Sequence, residues 1–199
     1  MSQKSRNKGF TLLELVIVMI ILGILSAVAI PHYLDMQKEA KFAVTKGKIS
    51  AIRGGIELAH AKILVSGVNT GPEGDNPDWP TLEEVQFNEL RLSTRPVSLH
   101  NLKLVRTDHY STEQNKTLPP CILPDMTSAM SQNSSAVAYK SLADIQTEIR
   151  RGDESTCWAY YPGNERNADG RVVGALFYLN DDRSFTDNID AAGKRPSQW

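Results

Sequence analysis

One acidic side chain within the apolar N-terminal run is the first candidate for chemistry in this sequence. Glu14 is the only charged residue from Phe10 to Ile30, a run that reads FTLLELVIVMIILGILSAVAI. A carboxylate near the centre of a bilayer costs about 2.5–3.5 kcal/mol, and less near an interface. Glu14 can therefore snorkel to the interface or be neutralised by a cation. Charge pairing in a low-dielectric setting is the chemistry that this residue suggests.

The apolar run itself has the length of a membrane span. As a helix its 21 residues would extend for about 31 Å, close to the roughly 30 Å hydrocarbon core of a bilayer. The residues before it include Lys4, Arg6 and Lys8 and no acid. A basic flank stays on the cytoplasmic side, so everything after Ile30 is expected to lie outside.

Three interpretations of this N-terminus compete. A plain membrane anchor explains the length but gives Glu14 no role beyond snorkelling. A secretory signal peptide would be cut after Ala29, since residues 27–29 fit the A-x-A pattern, but the run exceeds the usual 7–15-residue apolar region and contains an acid. The third interpretation is the only one that uses the glycine and the acid together.

The hexapeptide GFTLLE at residues 9–14 closely resembles the prepilin cleavage motif of type IV pilins and type II secretion pseudopilins. In that family a dedicated prepilin peptidase cuts after the glycine on the cytoplasmic side and methylates the new N-terminal residue. The resemblance covers about the first 55 residues and its motif is highly specific. It favours the third interpretation over the other two.

The resemblance implies a role for each matching residue. The cut falls between Gly9 and Phe10, Phe10 becomes the N-methylated first residue, and Glu14 is the acid at the fifth mature position through which subunits assemble. Gly23 and Pro31 match the family's helix-loosening glycine and its proline, where the helix can kink. A free α-amine on Phe10 would be cationic at neutral pH and could neutralise Glu14 of a neighbouring subunit.

The element that must position Glu14 is predicted to be one long helix from Phe10 to about Ser66, apolar on all sides first and then amphipathic. Residues spaced alternately by three and four form the stripe of a helix packed on a core: Phe42, Thr45, Ile49, Ile52, Ile56, Ala59 and Ile63. The opposite face is expected to be charged, with Lys38, Glu39, Lys41, Lys46, Lys48, Arg53 and Lys62. Gly67 is the expected stop.

The rest of the chain predicts a small β-structure with long connections. Leu99–Arg106, Cys157–Tyr161, Arg171–Leu179 and Arg183–Thr186 read as strands, and 135–151 as a short amphipathic helix or an embellished loop. Thr81 and Glu84 predict a capping box. The expected fold is therefore α+β: the type IV pilin fold, with the long helix packed on a C-terminal antiparallel sheet of three to four strands.

The domain boundaries follow from these elements. Residues 1–9 form a leader and 10–31 a transmembrane and filament-core helix. The globular domain takes 32–199, with a variable loop region at 68–156 and a β-meander at 157–199. The two cysteines, Cys121 and Cys157, are expected to form a disulfide, because this domain faces an oxidising space.

No catalytic constellation stands out, so the protein is not expected to be an enzyme. The four histidines are scattered, and no hydrolase, metalloprotease or nucleotide-binding motif is present. No cofactor is expected. A weak calcium candidate is suggested by the resemblance to major pseudopilins, which bind calcium near their last strands, and comprises Asp181, Asp182, Asp187 and Asp190. The net charge of −1 indicates no specific nucleic-acid site.

The predicted function is structural. Before assembly the chain is expected to be anchored in the bacterial inner membrane, with its N-terminus cytoplasmic. It is then expected to enter a homo-oligomeric helical filament on the cell surface. Such a type IV pilus would serve adhesion, motility or DNA uptake. The alternative is a periplasmic pseudopilus of type II secretion. From a different class, the alternative is a secreted periplasmic binding protein cut after Ala29.

Overall fold

The computed structural model describes residues 10–67, 77–105, 117–146, 155–163, 165–181 and 189–199. The chain divides into two compact units, Met1–Ala40 and Lys41–Trp199. Its first and longest element, helix α1, covers Leu12–Val65. The other helices and strands are α2 (Leu82–Gln86), α3 (Ser128–Gln132), β1 (Val137–Tyr139), α4 (Leu142–Gln146), β2 (Trp158–Tyr161) and β3 (Leu176–Leu179), with 3-10 turns at Val97–Leu99 and Pro196–Gln198.

Helix α1 has the length and both ends that its sequence predicts. Thr11 caps the start, because its hydroxyl accepts a hydrogen bond from the Glu14 backbone N–H at 3.2 Å. At the other end Gly67 has φ +70°, the left-handed conformation typical of a residue just past a helix. Pro31 lies inside the helix, which continues without a break on either side.

The second part of α1 forms the base of the core. The seven residues predicted from the spacing are all buried, together with Gly55. The core is completed by side chains from β2 and β3 and from the connecting segments, including Leu90, Leu118, Trp158 and Phe177. The expectation of an amphipathic second half packed on a core is confirmed.

The sheet has three strands in the order β1-β2-β3. Strand β2 is central and all four of its residues are buried. It pairs with β3 in antiparallel register, Trp158 opposite Leu179 and Tyr161 opposite Leu176. It pairs with β1 in parallel register, Val137 opposite Trp158. The sheet is therefore mixed.

The expected α+β fold with a sheet of three strands is confirmed, but β1, which lies in the stretch predicted as a helix or loop, pairs with β2 in parallel and not in antiparallel register. A parallel pair needs a crossover of a dozen or more residues. The chain between β1 and β2 supplies one, and it includes helix α4. The predicted helix at 135–151 thus divides into a strand and a shorter helix within the described residues.

Two other predicted strands are shorter or missing. Leu99–Arg106 begins in a 3-10 turn, and the Asn88 side chain pairs with the Val105 N–H and C=O, both at 2.8 Å, in place of a strand. Arg171–Leu179 is a regular strand only from Leu176; before it, Val172 forms an isolated antiparallel bridge with Arg166, and the Val173 N–H donates to the Glu165 carbonyl at 3.1 Å. The predicted strand Arg183–Thr186 and residue Arg106 lie outside the described residues.

Side chains cover both outer edges of this sheet. On the β1 side, the Gln86 amide accepts a hydrogen bond from the Val137 N–H at 2.7 Å and donates to the Ser135 carbonyl at 3.4 Å. On the β3 side, Arg53 of α1 donates from Nε to the Phe177 carbonyl at 2.7 Å. These groups occupy positions that a further strand would use.

A buried ion pair organises the segment that carries α2. The predicted capping box is confirmed, with the Thr81 N–H donating to Glu84 at 3.0 Å and the Glu84 N–H donating to the Thr81 hydroxyl at 3.3 Å. The Glu84 carboxylate also accepts two hydrogen bonds from the Arg95 guanidinium, each 2.7 Å long. Both side chains are at most 1% exposed.

Candidate assembly site

The apolar first part of α1 is exposed along its length in the described part of the chain. Each large apolar side chain from Phe10 to Met36 is exposed, from 42% at Val16 to 84% at Phe10. Among the described residues, α1 is the one helix long and apolar enough to cross a membrane, judged by length and composition. Its apolar surface is therefore available to lipid or to other chains.

Glu14 lies at the start of this surface and closes a capping box with Thr11. The carboxylate oxygen Oε2 accepts from both the Thr11 backbone N–H and the Thr11 hydroxyl, each at 2.9 Å. Both bonds go to the same oxygen and the residue is exposed. The geometry leaves Glu14 held in a defined orientation while its carboxylate stays open to a cation from outside the subunit.

The other predicted N-terminal residues have varied surroundings. Phe10 is the first described residue, and Gly9 lies outside the described part of the chain. A Cβ placed on Gly23 would meet nothing within 4 Å, so no packing in the subunit requires a glycine there. Pro31 removes one backbone donor from the interior of α1. The roles expected for these residues in cleavage and helix bending remain predictions.

The structure contains the expected disulfide between Cys121 and Cys157. Their Cα atoms are 6.1 Å apart, and both residues are buried. The bridge joins the segment before α3 to the residue that precedes β2. The same segment is tied to α1, since Lys48 donates to the Pro120 carbonyl at 2.7 Å and the Ile122 N–H donates to the Thr45 hydroxyl at 3.1 Å.

The weak calcium candidates are not brought together within the described residues. The Asp190 carboxylate pairs with the Lys46 ammonium and accepts from the backbone N–H groups of Ala192 and Lys194, at 2.9 and 2.8 Å. Burial raises the pKa of Asp190, but Lys46 and these N–H groups outweigh it, so the pKa lies below its ordinary value.

A cleft of about 380 Å³ beside Asp190 is also lined by Lys46, Arg53 and Lys194, a charge balance unsuited to a divalent cation. No cluster of three metal-ligating side chains occurs in the described ranges, and Asp182 and Asp187 lie outside them.

The predicted charged face of α1 is partly wrong. Lys46, Lys48 and Arg53 are half-buried at the borders of the core stripe. Arg53 donates to backbone carbonyls of Phe177 and Trp199, and burial lowers the pKa of Lys48. Long basic side chains can bury their stems and still reach polar partners, which the spacing of charges alone does not reveal.

Comparison with known proteins agrees with this geometry. Residues 4–30 match the family model described as the prokaryotic N-terminal methylation motif. The chain is 39% identical over 56 residues to the type II secretion system core protein G of Pseudomonas aeruginosa, covering 28% of this chain and 39% of that protein. It is 35% identical over 82 residues to the type IV narrow pilus major component PilA5 of Thermus thermophilus, covering 38% of this chain and 69% of that protein.

A third relative is the type IV major pilin protein PilA of Myxococcus xanthus. It is 47% identical over 47 residues, which cover 24% of this chain and 21% of that protein. The chain thus spans well under two thirds of two of these three relatives. No solved structure matches the chain.

The fold and the site define a class of protein: α+β subunits with a membrane-length N-terminal helix and an acid near its start. Within that class, the chain belongs to the type IV pilin family, which includes both pilins and secretion pseudopilins. The members of this family are structural subunits of filaments. The resemblance first seen at residues 9–14 is therefore confirmed.

Proposed function

We propose that this protein is a prepilin, cut between Gly9 and Phe10, N-methylated on Phe10 and assembled through its N-terminal helix into a type IV pilus. The observation that carries the proposal is the exposed Glu14, fixed by Thr11 at the start of an apolar helix surface that is itself exposed. Hydrolysis of the Gly9–Phe10 amide consumes one water and frees the Phe10 α-amine. Methylation then replaces a hydrogen of that amine with the methyl group of a methyl donor.

The proposed processing creates the partner that Glu14 lacks in the apolar run. The α-amine carries a positive charge at neutral pH. When neighbouring subunits bring this amine to the Glu14 carboxylate, each group loses the cost of being an isolated charge in an apolar medium. The pairing also favours one axial register between neighbouring helices. Assembly therefore draws on apolar packing along α1, while the ion pair sets the alignment.

Two other proposed features follow from the same mechanism. Before assembly the chain is held in the inner membrane by α1, with Lys4, Arg6 and Lys8 on the cytoplasmic side. A prepilin peptidase and other copies of this chain are its partners. The described parts of the variable region, 77–105 and 117–146, contain the buried ion pair and Cys121 of the disulfide, and they would present the outer surface that serves adhesion, motility or DNA uptake.

A secretion pseudopilus is the second candidate, because one relative is a type II secretion core protein. The two functions differ in filament length and location. Filaments sheared from the cell surface and visible by electron microscopy support the pilus. Short periplasmic filaments with a defect in protein secretion on deletion of the gene support the pseudopilus.

The processing is tested by mass spectrometry of the mature N-terminus. We expect N-methyl-Phe10. A mature protein that begins at Ile30 would instead identify a secretory signal peptide, and one that retains Met1 would identify a plain anchor.

The assembly role is tested by Glu14→Ala with Glu39→Ala as its matched control, since Glu39 is another exposed acid on the same helix. We expect Glu14→Ala to insert into membranes at normal levels and to form no filaments, whereas Glu39→Ala assembles normally. Normal filaments from Glu14→Ala would contradict the proposed role of the carboxylate.

A further inference from the structure

The cleft beside Asp190 lies within the second unit, between helix α1 and residues 190–199. Its volume of about 380 Å³ falls in the range of small-molecule sites, about 300–1,000 Å³. One wall is formed by side chains of α1, and the other by a turn and the 3-10 turn at Pro196–Gln198. The cleft is therefore large enough for a small ligand, and the chemistry of its walls indicates which kind.

The turn that forms one wall is held in a fixed position. The Asp190 carboxylate accepts from the N–H groups of Ala192 and Lys194, at 2.9 and 2.8 Å, and the Gly193 N–H donates to the Asp190 carbonyl at 2.9 Å. The same carboxylate pairs with Lys46 of α1. The backbone at Lys194 is thus tied to α1, so both walls keep their relative positions without a ligand.

Positive charge prevails in the cleft. Three cations and one acid line it: Lys46, Arg53, Lys194 and Asp190. Both oxygens of the Asp190 carboxylate already accept hydrogen bonds within the fold. The exposed Lys194 ammonium, in contrast, makes no ion pair with any residue that the structure describes. A concave surface with this balance of charge attracts anions.

The polar groups that remain available in the cleft are hydrogen-bond donors. The Gln198 side-chain oxygen accepts from the Arg195 N–H at 3.0 Å, which leaves its NH₂ group as the available donor. The Ser50 hydroxyl and the Lys194 ammonium have no acceptor within the described chain. These three donors come from three different segments. A phosphate group offers three terminal oxygens and binds lysine as a point charge, so it matches this set better than a two-oxygen carboxylate.

An apolar surface lies in the same cleft. It consists of the Ile49 side chain and the Trp199 indole. The indole is held in place by Phe42, whose ring centroid is 5.0 Å away, and by the Lys46 ammonium, 4.6 Å from its centroid. Its N–H donates to the Lys194 carbonyl at 3.2 Å. Inorganic phosphate would leave this surface unused, whereas an organic group attached to the phosphate would cover it.

We propose that the cleft binds a small organic phosphate monoester. The phosphate accepts hydrogen bonds from Lys194, Ser50 and Gln198, and the organic group lies against Trp199. The site belongs to the second unit, whereas Glu14 and the apolar run belong to the first. The proposal therefore goes beyond filament assembly and does not depend on it.

Binding is tested by isothermal titration calorimetry of the full-length chain in a nonionic detergent, with phenyl phosphate as the probe. We expect saturable binding of one phenyl phosphate per chain. Inorganic phosphate lacks the apolar group and should bind about tenfold more weakly. Phenol lacks the anion and should show no saturable binding. Absence of phenyl phosphate binding at about 10 mM, or equal binding of phenol, would overturn the proposal.

Two variants locate the site and one serves as the control. Lys194→Gln removes a charge-assisted hydrogen bond and should weaken phenyl phosphate binding about tenfold. Ser50→Phe places a bulky ring at an exposed position on the wall of the cleft, so it should block binding and leave the melting temperature unchanged. Lys62→Gln makes the same change of charge at an exposed position of α1 outside the cleft, and should bind as the wild type does.

The variants also distinguish a built site from general attraction between charges. Equal weakening in Lys194→Gln and Lys62→Gln would show non-specific attraction and overturn the proposal. Wild-type affinity in both Lys194→Gln and Ser50→Phe would overturn it too.

The source of the phosphate can be identified with the same assay. The head group of phosphatidic acid carries the same chemistry as a soluble monoester. Loss of phenyl phosphate binding in nanodiscs that contain phosphatidic acid would support the site with a lipid as its ligand. Unchanged binding in those nanodiscs would support the site with a soluble ligand.

Discussion

Replacement of Glu84 by alanine should be among the most damaging changes in the globular unit. Glu84 is fully buried and its carboxylate accepts hydrogen bonds from the backbone N–H groups of Arg91 and Leu92, at 3.1 and 3.3 Å, besides those from Thr81 and Arg95. Alanine leaves all of these donors without their acceptor. It also leaves the Arg95 guanidinium, 1% exposed, as a charge with no counterion in the described core.

The expected cost follows from that uncompensated charge. Breaking a buried ion pair by removing one partner costs about 3–5 kcal/mol. For a domain of this length each kcal/mol lowers the melting temperature by about 2–4 °C, so the expected decrease is roughly 6–20 °C. Arg95 also donates to the carbonyls of Pro77 and Trp79, at 3.0 and 3.1 Å. Because these bonds persist in the variant, we expect the decrease in melting temperature to lie toward the lower end of that range.

The chain offers a matched control one residue away. Glu83 also belongs to α2, but its side chain is 58% exposed, and its nearest approach to a cation is the long distance of 3.7 Å between Glu83 Oε1 and Arg91 Nε. A surface pair of this kind contributes little, so Glu83→Ala should change the free energy of unfolding by less than about 0.5 kcal/mol. Thermal and urea unfolding of the detergent-solubilised variants, followed by circular dichroism, measure both changes.

A third variant tests the physical cause. Glu84→Met combined with Arg95→Met removes both charges, so the double variant should cost clearly less than the sum of the two single changes. Equal stability of Glu84→Ala and Glu83→Ala would refute the reasoning about the buried pair. Strict additivity in the double variant would refute its electrostatic basis.

Three further predictions concern the same unit. The native pKa of Asp190 is lowered on balance, so the stability that Asp190 supplies is present above the ordinary aspartate pKa of about 4 and is lost as the pH falls through the native value. The free energy of unfolding should therefore fall less steeply with pH below about pH 4 in Asp190→Asn than in the wild type. Equal slopes in the two proteins would contradict this. Replacement of Cys157 by alanine opens a loop with a sequence separation of 36 residues and should cost about 4 kcal/mol, with a similar loss when the wild type is reduced by dithiothreitol. Gly55→Ala should destabilise the subunit by about 1–3 kcal/mol, because the new Cβ meets the Leu104 backbone. Gly54→Ala should stabilise the isolated subunit by up to about 1 kcal/mol. Chemical denaturation should therefore show changes in the free energy of unfolding of opposite sign in the two variants.

Much of the helix and part of the sheet could be predicted from periodicity. The alternating spacing from Phe42 to Ile63 records burial directly, because only one side of a helix faces a core. The aromatic run at Trp158–Tyr161 has the β propensity of a buried strand and forms one. The capping box at Thr81 is a local interaction over three residues, so the sequence is sufficient to predict it.

The errors come from interactions between distant residues. The parallel pairing of β1 depends on where the chain returns after α4, and no local pattern records that path. Asn88 replaces strand pairing at Val105 through its side chain, seventeen residues away. In the linear sequence Lys48 and Arg53 of α1 resemble residues on a solvent face, because the distant carbonyls that they bind are not visible there.

The candidate assembly site was predictable for a different reason. Glu14 interrupts the apolar run, and a charge in such a run is costly unless it is compensated. This signal is local, so it can be seen in the sequence without knowledge of how the rest of the chain folds.

The side chains bound at the two edges of the sheet affect how copies of this chain can associate when they are packed closely in a polymer. An open strand edge is a template for cross-β growth, the route to amyloid, and chains held side by side at high concentration would be especially prone to it. Gln86 and Arg53 occupy the outward-facing groups of Val137 and Phe177 and so remove that template. In the proposed filament, contacts between copies would then be made by side chains on helices, which can separate without unfolding the domain. A polymer built in this way can release intact subunits, whereas a fibril built through strands cannot.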